Sequence, residues 1–221
     1  MTAKRHAAGG SLERGPGLMV LCVALLAVVL LQPVLSVEGH PSMLAELLVA
    51  SVPIAGTYAV RGRSWQLRVA LLLLAPVVVL WVCTHVGGLP GLRAWELAAA
   101  LALMSFVSAC LLHCLLHASE VTRSVVFGAA GIYLLLGFAW AHAYALAIEL
   151  REDAFSSPIR DWNELTYYSF STLTTLGLGD VVPVSPMARM LTSLEAVAGV
   201  LFVGFVVARF AAALSARKEA R

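Results

Sequence analysis

Six runs of mostly apolar residues govern what this chain can fold into: Leu18–Leu35, Met43–Val60, Val69–Val86, Ala94–His117, Val125–Leu150 and Met187–Ala213. A bilayer core of about 30 Å takes about 20 apolar residues as helix, and each run is close to that length. Charged residues are 13 % of the 221 and apolar ones 60 %, too few charges to coat a water-soluble particle. A soluble enzyme and a disordered chain are both excluded. The expected class is an all-α membrane protein with six transmembrane helices. The first run follows Lys4, Arg5 and Arg14 as a signal peptide would, but it is longer than a signal core and no A-x-A site follows.

The basic residues set the expected orientation. Lys4, Arg5, Arg14, Arg61, Arg63, Arg68, Arg123, Arg209, Arg217, Lys218 and Arg221 fall on one side, eleven of the fifteen, and Arg93, Arg151, Arg160 and Arg189 on the other. The positive-inside rule puts the eleven, and both termini, in the cytoplasm. Eight of the thirteen acids face outward in this reading, five of them between Glu149 and Glu164, where they would concentrate cations near an entrance. A net charge of +2 gives no reason to expect nucleic acid as a partner. Cys22, Cys83, Cys110 and Cys114 all sit inside apolar runs, so no disulfide framework is expected. Two lysines against thirteen arginines point to a GC-rich bacterial source, hence a bacterial inner membrane.

Between the fifth and sixth runs lie the 36 residues Arg151–Pro186, which do not read as an ordinary loop. Residues 161–175 open with Asp161, a good helix N-cap, and an acid follows in the first turn. Some 15 residues of helix reach roughly 22 Å, too short to cross a bilayer. The segment fits a half-helix that enters the membrane and returns. After it come Leu176-Gly177-Leu178-Gly179-Asp180, then Pro183 and Pro186. Irregular backbone at membrane depth is tolerated only where it is buried in protein or lines a water-filled path. Alternating glycines let φ change sign from residue to residue, which turns successive carbonyls the same way. A column of carbonyl oxygens replaces the water shell of a monovalent cation. The half-helix also aims its partly negative C-terminal end at the membrane centre.

Thr172-x-x-Thr175-x-Gly177-x-Gly179-Asp180, preceded by Tyr167-Tyr168-Ser169-Phe170, resembles the selectivity filter of the tetrameric potassium channel superfamily. The resemblance covers Val125 to about Ala213. It implies a homotetrameric pore, with K+ as the permeant ion, membrane lipids as neighbours and no cofactor. It implies K+ sites at Thr175, Leu176, Gly177 and Leu178, with Gly179 closing the outer mouth. Thr172, Thr174, Tyr167, Tyr168 and Asp180 would support the filter, Tyr167 and Asp180 as a pair. Most of the family has tyrosine where this chain has Leu178, which leaves packing alone to brace the filter there. Two-pore-domain potassium channels resemble this segment and also carry leucine or phenylalanine. In the family, a glycine near Gly199 is a hinge of the inner helix, and Gly204 is a second candidate. Small residues there equally serve close helix packing. Glu195 is an acid inside the membrane, expected to bond to the neighbouring pore helix.

The expected plan is a cytoplasmic N-terminus (1–17), a four-helix membrane domain (18–117), a linker (118–124), a pore domain (125–213) and a cytoplasmic tail (214–221). Within the pore domain are an outer helix (125–150), a pore helix (161–175), a filter (175–180) and an inner helix (187–213). The four-helix domain has the layout of a voltage sensor, but its fourth run carries no Arg or Lys beyond its start, so classical voltage sensing is not expected. The brief link to the fifth run favours four helices packed beside their own pore unit. The eight-residue tail leaves no room for a cytoplasmic regulatory domain. Cys110, His113, Cys114 and His117 recur at i, i+3, i+4, i+7 on one helix face. One straight helix cannot surround a metal with four ligands, and a polar stripe within the bundle is the simpler reading. The function expected is passive K+ conduction, with no enzymatic motif. One alternative is a weakly selective cation channel, because of Leu178; the other is a membrane haem- or metal-binding redox protein using His113, His117 and His142.

Overall fold

A computed structural model describes residues 17–35, 43–60, 64–118, 122–159 and 161–219. Lys4, Arg5, Arg14, Arg61, Arg63, Arg160 and Arg221, which enter the orientation argument, lie outside the described residues, as does the N-terminal segment 1–16. The helices are α1 (Gly17–Leu35), α2 (Met43–Ala59), α3 (Ser64–His85), α4 (Arg93–Leu116), α5 (Arg123–Leu150), α6 (Trp162–Leu173) and α7 (Pro186–Glu219). Single 3-10 turns at Pro90–Leu92 and Glu152–Ala154 precede α4 and follow α5. Among the described residues the one β contact is an isolated antiparallel bridge, Phe155 to Pro183.

Five of these helices are long and apolar enough to cross a membrane: α1, α3, α4, α5 and α7. The chain is an integral membrane protein. The second expected span comes out shorter. α2 has 17 residues, about 25 Å of helix, at the lower limit for crossing. Ser51, Pro53, Gly56 and Thr57 dilute its apolar run. α7 stays helical to Glu219, 34 residues or about 51 Å, past the expected inner-helix end at Ala213. The hydropathy ruler stops where the apolar run stops, whereas Ala, Arg, Lys and Glu propagate a helix well in water.

α5 is the hub, packing against α1, α4, α6 and α7. Its small residues permit close approach: a Cβ on Gly131 would reach 3.5 Å from the Cys22 backbone nitrogen of α1. α1 and α4 pack on their own chain's α5 through a core that includes Leu25, Leu103, Val107, Ile132 and Leu135, while α2 and α3 pack on α1 and α4. Thr122 caps α5 by accepting from Val125 N at 3.4 Å. Arg209 of α7 donates to the Ala118 carbonyl just past α4. α3 and α7 are the least covered of the five long helices: 11 % of each apolar window is buried, against 56 % for α5.

Candidate functional site: the pore helix and the segment after it

α6 starts from Asp161, whose Oδ1 accepts from Glu164 N at 3.0 Å. The helix proper is Trp162–Leu173, shorter at both ends than the expected 161–175, with Asp161 as its N-cap and Thr174 as its C-cap. Asp161→Ala is expected to cost about 1 kcal/mol of stability, measured by thermal unfolding in detergent, because it leaves a first-turn N–H unpaired.

The helix ends in a Schellman arrangement. Thr175 N donates to Thr172 O at 2.9 Å and Leu176 N to Ser171 O at 2.8 Å. The residue between cap and return is then left-handed, a place normally taken by glycine; here it is Thr175, φ 60°. A left-handed conformation costs a side-chain-bearing residue about 1 kcal/mol. Gly177 and Gly179 follow at φ 54° and 78°, while Leu176 and Leu178 do not share the positive φ. Handedness therefore alternates over five residues. Gly177 N joins Leu176 N on the Ser171 carbonyl, at 3.1 Å, so these amides turn back to α6. Thr174 to Asp180 are exposed within the chain, Leu176 at 61 % and Leu178 at 62 %.

The return strand is anchored. Val184 N and Ser185 N both donate to Ala154 O, at 2.9 and 3.2 Å, and Ser156 N donates to Val182 O at 2.8 Å. Ser185 then caps α7, accepting from Ala188 N at 3.1 Å with Pro186 as first helical residue.

The expected support residues fall in different places. Tyr167 Oη donates to Asp180 Oδ2 at 2.8 Å across the filter segment. Tyr168 instead points away, its hydroxyl 2.6 Å from Thr192 Oγ1 of α7 and its ring edge-on to Phe155 at 5.0 Å. Thr174 donates back to Phe170 O at 2.7 Å, and Thr172 is buried. Two contacts hold the helix end from behind. Tyr133 Oη donates to Leu173 O at 3.0 Å, and Gly199 lies so close that a Cβ there would collide with the same carbonyl oxygen. Gly204 has nothing within 4 Å of its Cβ position. Glu195, fully buried, accepts from Tyr144 Oη of α5 at 2.5 Å and from Ser169 Oγ of α6 at 2.6 Å. Ser169 also lies 2.7 Å from Gly137 O. Sequence singled out Glu195 but gave no means of finding Tyr144, Tyr133 or Ser169 as its and Leu173's partners.

The five acids from Glu149 to Glu164 are less free than a cation-gathering cluster would be. Glu149 stands 4.0 Å from Arg93, and Arg151 pairs with Asp153 at 2.7 Å. That hydrogen bond holds the Asp153 carboxyl below the usual carboxylate range. The histidines do not converge. The rings of His113 and His117 lie 4.2 Å apart, tilted by 38°, near the end of α4, and His142 Nδ1 lies 2.7 Å from Phe138 O, its ring against Trp162. Since Arg93 starts α4 opposite Glu149 of α5, His113 and His142 are roughly 20 Å apart along the bundle at 1.5 Å per residue. Among the described residues no group of three His, Cys, Asp or Glu is placed to hold a metal ion.

Residues 122–216 match the family described as ion channel. The inward rectifier potassium channel Kirbac3.1 of Paramagnetospirillum magnetotacticum is 33 % identical over 71 residues, 32 % of this chain and 23 % of that protein. The chain thus aligns with about a quarter of that relative's length. No solved structure matches significantly. Over α5, α6, the segment between α6 and α7, and α7 itself, the chain is similar to an ion channel.

Proposed function

We propose that the protein is a homotetrameric potassium channel, six spans per chain with both termini in the cytoplasm, conducting K+ passively through carbonyls of Thr175, Leu176, Gly177 and Leu178. The observation that carries this reading is the alternation of handedness at Thr175, Gly177 and Gly179. With the amides of Leu176 and Gly177 turned back to Ser171 O, the carbonyls of the same segment are free to replace an ion's water shell. A ring needs four such segments and the chain supplies one, so the exposed filter edge and the uncovered face of α7 are the surfaces that other copies would cover. The similarity to a potassium channel from another organism supports the same reading.

Leu178 favours a second reading, a weakly selective monovalent cation channel. Its side chain is 62 % exposed and has no hydroxyl with which to fix the filter's width. The reversal potential of the purified protein in planar bilayers, under a K+ gradient against Na+, separates the two. Reversal near the K+ equilibrium potential is the expected result. Reversal near zero would assign the weakly selective channel, and absence of current from folded tetramers under every voltage and pH tried would reject conduction.

A further inference from the structure

A cavity of about 510 Å³ lies where α5 ends and α6 begins, with walls from all of α1 to α6. Its inner wall is apolar, with Leu47 and Ile54 of α2, Leu74 and Val78 of α3, and Ala100 of α4. From His85 to Leu74, α3 runs about 16 Å, half of a bilayer core. The mouth is polar: His85, Arg93, Glu96, Glu149 and Asp161. Glu96 is the unusual member, its side chain only 12 % exposed. It accepts from Thr84 Oγ1 at 2.6 Å, and its nearest basic group is His85 Nδ1 at 3.9 Å. Among the described residues no Lys or Arg forms a salt bridge with it. Among the described residues Arg93 forms one ion pair, with Glu149 at 4.0 Å, both side chains substantially exposed. The buried indole Nε1 of Trp162, another lining residue, has no hydrogen-bond partner among the described residues.

We propose that this cavity binds a phosphatidylethanolamine-type lipid, its ammonium on Glu96, its phosphate at Arg93 and one acyl chain along α2 and α3. A primary ammonium supplies the charge-assisted donors that a poorly solvated carboxylate lacks, and Trp81, stacked on His85 at 5.0 Å, lines the same space. An anionic lipid fits worse, because Glu96, Glu149 and Asp161 outnumber Arg93 and His85 there. An acyl chain fits the inner wall in polarity and depth. Trp162, Asn163 and Leu165 of α6 line the same space, so the lipid would brace the start of the pore helix. This assignment concerns binding and stands whether or not the pore selects K+.

The test uses the full chain in phosphatidylcholine nanodiscs, with Trp65, Trp95 and Trp140 changed to Phe so that Trp81 and Trp162 report. Phosphatidylethanolamine or phosphatidylglycerol with brominated acyl chains is titrated in and fluorescence quenching is read. The expected result is half-quenching at an about tenfold lower fraction of phosphatidylethanolamine, the factor that one charge-assisted hydrogen bond supplies. Glu96→Gln should remove that preference while leaving quenching by both lipids. Equal quenching in the parent protein, a preference for phosphatidylglycerol, or a preference that survives Glu96→Gln would overturn the proposal. If the tryptophan-depleted protein does not fold, the lipids retained by the unmodified chain from a mixed extract are weighed by native mass spectrometry. Enrichment of phosphatidylethanolamine that Glu96→Gln abolishes supports the proposal, and retention in bulk proportions overturns it.

Discussion

Gly199→Ala is expected to lower stability by about 3 kcal/mol per chain, whereas Gly204→Ala, five residues on, should be neutral or stabilising by up to about 1 kcal/mol. The contrast comes from what each Cβ would meet. At Gly199 it would fall on the Leu173 carbonyl oxygen, which is backbone at the end of the pore helix and cannot swing aside as a flexible side chain would. α7 must then move out or Leu173 must move in. Either shift strains the Tyr133 hydrogen bond to the same oxygen, a further 1 kcal/mol or so. At Gly204 the space is open and alanine simply improves helix propensity. Denaturation in a graded detergent series, followed by near-ultraviolet circular dichroism, measures both. The outcome decides between the two roles the sequence allows for Gly199. A Gly199→Ala protein as stable as the parent would point to bending; a destabilised one points to packing against the pore helix.

What the sequence made legible is what is local. Apolar runs of bilayer length mark α1, α3, α4, α5 and α7 because helical backbone in lipid must pair within itself, so length and hydropathy suffice. Asp161 could be read as a cap because capping depends on three consecutive peptide units. The Gly177 and Gly179 pair announced a change of handedness, but Thr175 did not. A β-branched residue at φ 60° is imposed by the Schellman turn around it, not by its own preference. The end of α7 is not legible in the same way, because hydropathy reports the bilayer edge and not the helix end. Contacts between distant residues were out of reach. Glu195 and Tyr144 are 51 positions apart, and Tyr133 and Leu173 are 40 apart. Nothing in either local sequence encodes the other. The lipid-sized cavity belongs to the same class, since its walls come from six helices whose arrangement no periodicity specifies.

Glu195→Ala is expected to cost about 4 kcal/mol and Glu195→Gln about 1 kcal/mol, with the difference arising from the hydroxyls left behind. Burying a carboxyl fully inside a membrane bundle is unfavourable unless its lone pairs are used, and here one oxygen serves Tyr144 and the other Ser169. Those two residues belong to α5 and α6 while Glu195 belongs to α7, so one side chain joins the outer, pore and inner helices. Alanine removes both acceptors and opens a cavity beside Tyr144, whose ring is edge-on to Tyr168 at 4.9 Å and Phe155 at 5.9 Å. An unsatisfied buried hydroxyl costs about 1–3 kcal/mol, and Ser169 recovers part of that through the Gly137 carbonyl 2.7 Å away. Glutamine keeps the volume and an acceptor, which accounts for its smaller effect. Unfolding measurements on the two variants and on Tyr144→Phe test the sum, and Tyr144→Phe should fall between them. Under the proposed function, K+ flux should fail first in Glu195→Ala, because Ser169 sits two residues before Ser171, whose carbonyl holds the amides of Leu176 and Gly177. Equal stability and equal flux in the alanine and glutamine variants would mean that the three helices are held by packing alone, and that the carboxyl is merely accommodated.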